Sequence, residues 1–412
     1  MTETTTKPWT QPMPDAQFDV MRRILAAPSP IGLEAAMTFG VLEPYFEEFK
    51  LPGWAALRFA GSAGVVFDTH PGETERFTVM LIGHADKIRM QVRSISEDGK
   101  IWIDSDSFMP ATLLGHEVKI FSESVESPGS YRVIEGGTIE AIGAIHFADL
   151  PLRQGEKGIK PNMLYVELQL HGEKRRDQVE KLGIRTGDSI ILNRQIKRGF
   201  APNTFYGAYL DNGLGCFVTM EVCRLIAEAG GLRNIRLLGG IASYEEIGRL
   251  GSRVLAGEMR PDAVIAIDVN HDYEAAPGVG DRRFNPLAMG KGFTLAVGSI
   301  VSEALNTVIE SASRESGVPF QRSVVGGDTG TDAMAAVFAA IDAPATSIGF
   351  PIRNMHTISE SGHTGDVLAS AHGIFAALQK MDAMHDGAGV TRESFKQLHP
   401  RLDLATPLRK EA

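Results

Sequence analysis

Glu245 and Glu246 stand side by side at the end of an apolar run, "IASYEEIG". A strand leaving a core often ends in charge and a Gly turn, so the pair alone decides nothing. Other groups of the same chemical kind recur along the chain: His84 and Asp86 in "VMLIGHAD", Asp211 in "GAYLDNGLG", Asp268 in "AVIAIDV" and His356 in "PIRNMHTISE". Carboxylates and imidazoles without a thiolate set suit Zn²⁺, Co²⁺ or Mn²⁺. A carboxylate inside an apolar run, as Asp268 is, needs a compensating charge, and a divalent cation supplies one. Two cations close together acidify a water and polarise a carbonyl, while a spare carboxylate takes the water's proton. Adjacent glutamates on a regular strand point to opposite faces, but at a strand end turning into a loop both can reach one site. One can then ligate while the other moves protons.

These groups need elements that bring them to one place. His84 and Asp86 lie two apart at a strand's end, on one face, Asp268 sits in a strand, Asp211 opens a helix and His356 follows a strand. In open α/β sheets the carboxyl ends of the strands form the ligand-binding rim, so these positions should share it. The remaining histidines, His70, His116, His146, His171, His363, His372, His385 and His399, lack such company and read as structural. His271 and Asp272 read as solvated loop residues.

Helical periodicity over "DAQFDVMRRILAA" stops at Pro28-Ser29-Pro30 and resumes in "GLEAAMTFGVLEPYFEEF". Two strand-like runs follow. From 88 to 203, short alternating segments punctuated by Gly, Pro and Ser indicate β structure, with only "RRDQVEKLG" helical. Strands and helices then alternate, with helices expected near 249–257, 302–316, from 331 and over 364–382. The expected fold is α/β, a mostly parallel sheet sandwiched by helices and interrupted by a small β-rich insertion. Residues 1–87 and 204–412 form the main domain, 88–203 the insertion, and the chain from Gly387 a peripheral tail. "GGDTGTDA" lacks the Lys-Ser/Thr of a phosphate loop and reads as a turn opening a helix, with Thr331 or Asp332 as its cap.

Of 412 residues, 43% are hydrophobic and 22% charged, with a formal net charge of -10, which argues against a nucleic-acid surface. No apolar run approaches a membrane span, and the polar N-terminus has no signal-peptide pattern. The two cysteines, Cys216 and Cys223, fall about two turns apart on one helix, too distant to bridge. A cytoplasmic protein is the expectation.

The order His-x-Asp, Asp-Asn, Glu-Glu, Asp and His-x-x-x-Glu resembles the dinuclear metal aminopeptidases of the tetrahedral, or glutamyl and deblocking, type. "AAPSPIGLE", "GDTGTDA" and the position of the β insertion extend the resemblance over most of the chain. It implies a zinc-peptidase-like catalytic domain, two divalent metal ions and peptide substrates. Asp211 would bridge the metals, with His84 and Asp268 completing one site and Glu246 and His356 the other. Glu245 would be the general base. Asp86 would orient the His84 ring, and Asp366 would cap the last helix. The family implies a homo-oligomer, commonly a dodecamer built from dimers through the insertion. Lys87 and Arg89 depart from the usual Glu-Ile-Gly after His-x-Asp, Gly213 from an arginine and Asn354 from a tyrosine. Three alternatives stay open: a metal-binding homologue without peptidase activity, a related metal-dependent amidohydrolase or deacylase, and, leaving the histidines and Asp268 unexplained, a glycosidase using the paired glutamates.

Overall fold

Phe77–His84 and Ile235–Ala242 are apolar nearly throughout, and every residue in them is buried. Runs of that kind belong to strands covered on both faces. In the computed structural model, which describes residues 7–61, 64–105, 108–127, 129–276 and 286–384, they lie at the middle of an eight-stranded sheet. Its first strands are β1 (Ala55–Phe59), β2 (Gly64–Asp68) and β3 (Phe77–His84).

The chain then leaves the sheet for β4 (Met90–Ile95), β5 (Ile101–Ser105), β6 (Glu117–Glu123), β7 (Tyr131–Glu140), β8 (Tyr165–Glu167) and β9 (Ser189–Leu192). These close into an antiparallel barrel in the order β4-β5-β8-β7-β6-β9. The barrel is a separate insert with its own core, in which Val92, Ile120, Val166 and Ile190 meet. The expected helix is present at Arg175–Lys181. After β10 (Lys197–Arg198) and β11 (Thr204–Gly207), the chain returns to the large sheet. It adds β12 (Ile235–Ala242), β13 (Ala263–His271), β14 (Phe293–Val297), β15 (Phe320–Val324) and β16 (Ala345–Ile352). A last short strand, β17 (Glu360–His363), pairs with β11.

The sheet order is β1-β2-β12-β3-β13-β16-β14-β15. β12, β3, β13 and β16 run parallel, whereas β2 and β14 meet this block antiparallel. Strand alternation splits the core by face. Val79 and Leu81 pack with the helices Asp15–Ala26, Leu210–Glu228 and Thr364–Met384, while Met80 and Ile82 pack with Leu255 of the helix Leu250–Met259. β14 and β15 were not anticipated, being short and weakly patterned. The expected helices occur at Leu250–Met259, Glu303–Ser316 and Thr364–Met384, and Thr331 caps a short turn, Asp332–Met334, that leads into Ala335–Phe338.

One expectation is corrected. The Asp366 carboxylate accepts hydrogen bonds from the backbone N–H of Gly290 at 2.6 Å and of Gly292 at 2.7 Å, so it fastens the loop before β14 instead of capping its own helix. The tail from Gly387, with His399, and His385 lie outside the described residues. Among the described residues no helix is long and apolar enough to cross a membrane.

Candidate metal centre

The carboxyl ends of β3, β12 and β13 converge. His84 is the last residue of β3 and pairs in register with Ala242, the last of β12. Asp268 on β13 lies opposite Gly349 on β16. Asp211 enters from the start of the helix Leu210–Glu228, where its backbone and that of Asn212 depart from helical geometry. Asn212 fixes that start, donating to the Ile267 carbonyl at 2.8 Å and accepting from the Gly215 N–H at 2.7 Å.

Asp211 presents one carboxylate oxygen to each histidine. Oδ1 lies 3.3 Å from His84 Nε2, and Oδ2 lies 3.1 Å from His356 Nε2. His84 Nε2 is also 3.7 Å from Asp268 Oδ1. Two groups follow, His84 with Asp211 and Asp268, and Asp211 with Glu246 and His356, each with donor atoms within 4.8 Å of one another. Donors on one tetrahedral zinc, each about 2.0–2.1 Å from it, stand roughly 3.3 Å apart, so these spacings fit a shared ligand between two ions. Asp211 Oδ1 and Glu246 Oε1 are buried without a hydrogen-bond partner, and coordination to a cation would satisfy them.

Glu245 and Glu246 lie in the turn after β12, where Gly248 and Arg249 donate their N–H groups to the Glu245 carbonyl. Glu245 Oε2 reaches to 3.8 Å from His84 Nε2. Asp86 binds that turn: its carboxylate accepts from the N–H of Glu245 at 3.1 Å and of Glu246 at 3.0 Å. The same carboxylate lies 3.4 Å from His84 Nδ1, on the ring edge away from the cluster.

Three acidic residues of this region were given no place in the site by sequence reasoning, Asp332 having been read only as a candidate helix cap. Glu360 accepts from the N–H of Leu210 at 2.6 Å and of His356 at 2.8 Å, joining the segments that carry Asp211 and His356. Its place in His-x-x-x-Glu was the available signal. Asp332 is buried and accepts from the Ser252 hydroxyl at 2.5 Å. Glu34, in "PIGLE", is buried and accepts from the Gly32 N–H at 3.0 Å. Asp272, expected in solvent, is instead buried in an ion pair with Arg353 at 2.7 Å, while His271 lines the cleft. The other described histidines stand outside both ligand groups.

Burial opposes the charge on His84, but Asp211, Asp268 and Asp86 outweigh it and hold its pKa well above the ordinary value. Asp211 resists burial through His356 and His84, which lower its pKa. Burial raises Asp268 as well. Burial, reinforced by neighbouring carboxylates, pushes Glu245 up to about 9 and Glu246 up to about 10. So many buried carboxylates around two imidazoles want positive charge, and divalent ions would satisfy that need.

The cluster opens into a cleft of about 330 Å³. A larger groove, about 660 Å³, lies on the barrel and shares no lining residue with it, so volume does not locate the chemistry.

A profile of the M42 glutamyl aminopeptidase family matches residues 64–372, a span holding the barrel and every residue of the cluster. The chain belongs to this family. M42 proteins are metal-dependent hydrolases that act on peptides. This M42 chain is 25% identical over 375 residues to the lysyl aminopeptidase of Pyrococcus furiosus, covering 89% of the chain and 98% of the relative. It is 24% identical to the glutamyl aminopeptidase of Lactococcus lactis, covering 71% and 78%. Its fold matches the TET aminopeptidase of a marine-sediment thaumarchaeote with a TM-score of 0.78 at 20% identity, covering 93% of this chain and 100% of the other. The TET1 peptidase of Pyrococcus horikoshii, described as assembling into a tetrahedron or a large octahedral shell, aligns with a TM-score of 0.69 at 19% identity, covering 87% and 98%.

Two of the departures from the family pattern, Lys87 and Gly213, lie behind the cluster. Lys87 is buried and its Nζ donates to the carbonyls of Leu25, at 2.7 Å, and Ala27, at the end of the first long helix. Gly213 abuts Leu25, whose Cγ would stand 2.7 Å from any added Cβ. Lys87, Arg89 and Gly213 do not line the cleft.

Proposed function

We propose that this M42 protein removes N-terminal residues from peptides using two divalent cations, with Asp211 shared between them. The observation that carries the reading is the Asp211 carboxylate, whose two oxygens face His84 and His356 separately. His84 and Asp268 are assigned to one ion, Glu246 and His356 to the other. When bound, the ions would acidify a water, polarise the scissile carbonyl and hold the substrate's free amine. Glu245, left without a ligand duty, is the proposed general base, and it returns the proton to the leaving amine. Asp86 keeps the Nε2 edge of His84 toward the cleft and holds the glutamate turn by its amides. Zn²⁺ is our assignment for the metal, with Co²⁺ and Mn²⁺ compatible with the same donors.

We further propose residues 1–87 and 204–412 as the catalytic domain, 88–203 as the pairing insertion, and a dimer-based homo-oligomer, up to a dodecamer, in the cytoplasm. Exposed apolar side chains on the barrel, among them Phe147, 92% exposed, and Val125, 79% exposed, favour such pairing.

The test of function is metal content per chain, by elemental analysis, in wild type and Asp211→Ala, alongside hydrolysis of aminoacyl substrates. About two metals in the wild type, lost in the variant together with metal-dependent hydrolysis, is the expected result. Bound metal with no turnover on any substrate would instead favour a homologue lacking peptidase activity.

A further inference from the structure

The cleft has a wall that leads away from Asp268, and its described residues carry no net charge. Asn270 follows Asp268 on the same face of β13. Its Nδ2 lies 3.2 Å from Ser323 Oγ on β15 and 3.4 Å from Thr294 Oγ1 on β14. Ala296 and Ser347 continue the wall on the same faces of β14 and β16, and Ser347 accepts from the Thr331 hydroxyl at 3.3 Å. The polar atoms of the wall thus bind one another.

Gly349 keeps this wall open. A Cβ there would lie 2.7 Å from the Asp268 carbonyl oxygen and 3.0 Å from Thr294 Oγ1. Among the described lining residues no lysine or arginine occurs, and no carboxylate lies outside the metal cluster. The cation on β15, Arg322, sits on the opposite face of its strand from Ser323 and pairs with Glu310 at 3.0 Å. Arg353 is engaged by Asp272.

We infer that the side chain of the substrate's N-terminal residue lies along this wall, and that the enzyme prefers neutral residues such as alanine, valine, leucine and methionine over lysine, arginine, aspartate and glutamate. The inference rests on the aminopeptidase reading. It departs from the specificities that the lysyl and glutamyl relatives are named for. Its physical basis is that a charged side chain buried against self-satisfied hydroxyls and an amide finds no counter-charge among the described residues of the wall, whereas a neutral one gives up little.

Two measurements on the metal-loaded full-length protein test it. The first is kcat/KM for alanyl, leucyl, lysyl, arginyl and glutamyl amides of one fluorogenic amine. The second, independent of turnover, is calorimetric binding of Leu-Gly-Gly, Lys-Gly-Gly and Glu-Gly-Gly to Glu245→Gln protein. The best neutral substrate should exceed the charged ones by about 30-fold or more in both. Ser323→Asp should raise the lysyl-to-leucyl ratio by about tenfold by placing a carboxylate on the wall. A charged residue matching or exceeding the neutral ones in either assay overturns the inference. Neutral-selective binding with no turnover by the wild type would remove the peptidase reading and leave the wall assignment standing. Neither binding nor turnover would overturn both.

Discussion

Glu245 and Glu246 are chemically identical neighbours, and only their surroundings separate their proposed duties. Glu246 falls in a donor group with Asp211 and His356, while Glu245 approaches His84 from the side. Glu245→Gln should therefore keep its metal but lose about 10²–10⁴-fold in kcat, the range for a general base. Glu246→Gln should lose metal as well, and elemental analysis beside steady-state kinetics separates the two outcomes. Glu360 touches neither ion in this assignment, yet both of its oxygens hold backbone amides that carry ligands. A Gln side chain has only one accepting oxygen, so Glu360→Gln should weaken metal binding by about 10- to 100-fold. An unchanged affinity in competition with a metal chelator would show that Glu360 merely fills space.

Among elements, the turn after β12 and the "GGDTGTDA" turn act as one wall. Arg249 grips Asp328 with two nitrogens at 2.6 and 2.8 Å, and Ser252 binds Asp332 behind them. The helix Thr364–Met384 is tied to the loop before β14 through Asp366 in the same manner. Burial pushes the Asp366 carboxyl up to about 7, although the Gly290 and Gly292 amides pull it down. A folded pKa above the unfolded one means that the native state holds the extra proton. The stabilisation is therefore full below about 4, the ordinary aspartate value, and is lost as pH rises through about 7. Thermal denaturation from pH 4 to 8 should show this downward trend in wild type and a flatter one in Asp366→Asn. Parallel curves for the two proteins would contradict it.

For the whole molecule, the excess of buried carboxylate at the rim should make the native state depend on bound cations. Any ion that binds only the folded chain adds stability by mass action, so removing metal with a chelator should lower Tm, and restoring it should recover Tm. The barrel is built on its own apolar core and leaves Phe147 and Leu150 exposed. If it pairs subunits, Phe147→Glu combined with Leu150→Glu should reduce particle size in sedimentation velocity while leaving the metal content intact. Particles of undiminished size would move the interface elsewhere.

The sequence by itself determined the residue types, their order and the strands that carry them. "FTVMLIGHAD" and "AVIAIDV" are legible because a buried strand is a local pattern, and the β insertion is legible because its alternation breaks off so sharply. The resemblance in order supplied the proposed ligand set. Tertiary structure alone decided which groups meet. His356 and Asp211 are 145 residues apart and Glu360 and Leu210 are 150 apart, separations on which no periodicity bears. Asp272 read as a solvated residue because its partner, Arg353, arrives from beyond the end of β16, and Asp366 read as a cap because helix starts favour that local duty. β14 and the edge strand β15 are short and weakly patterned, and they form because β16 offers β14 a partner and β14 in turn offers one to β15. Local physics writes the elements into the chain, whereas burying several carboxylates at one rim requires partners that only the closed fold can bring.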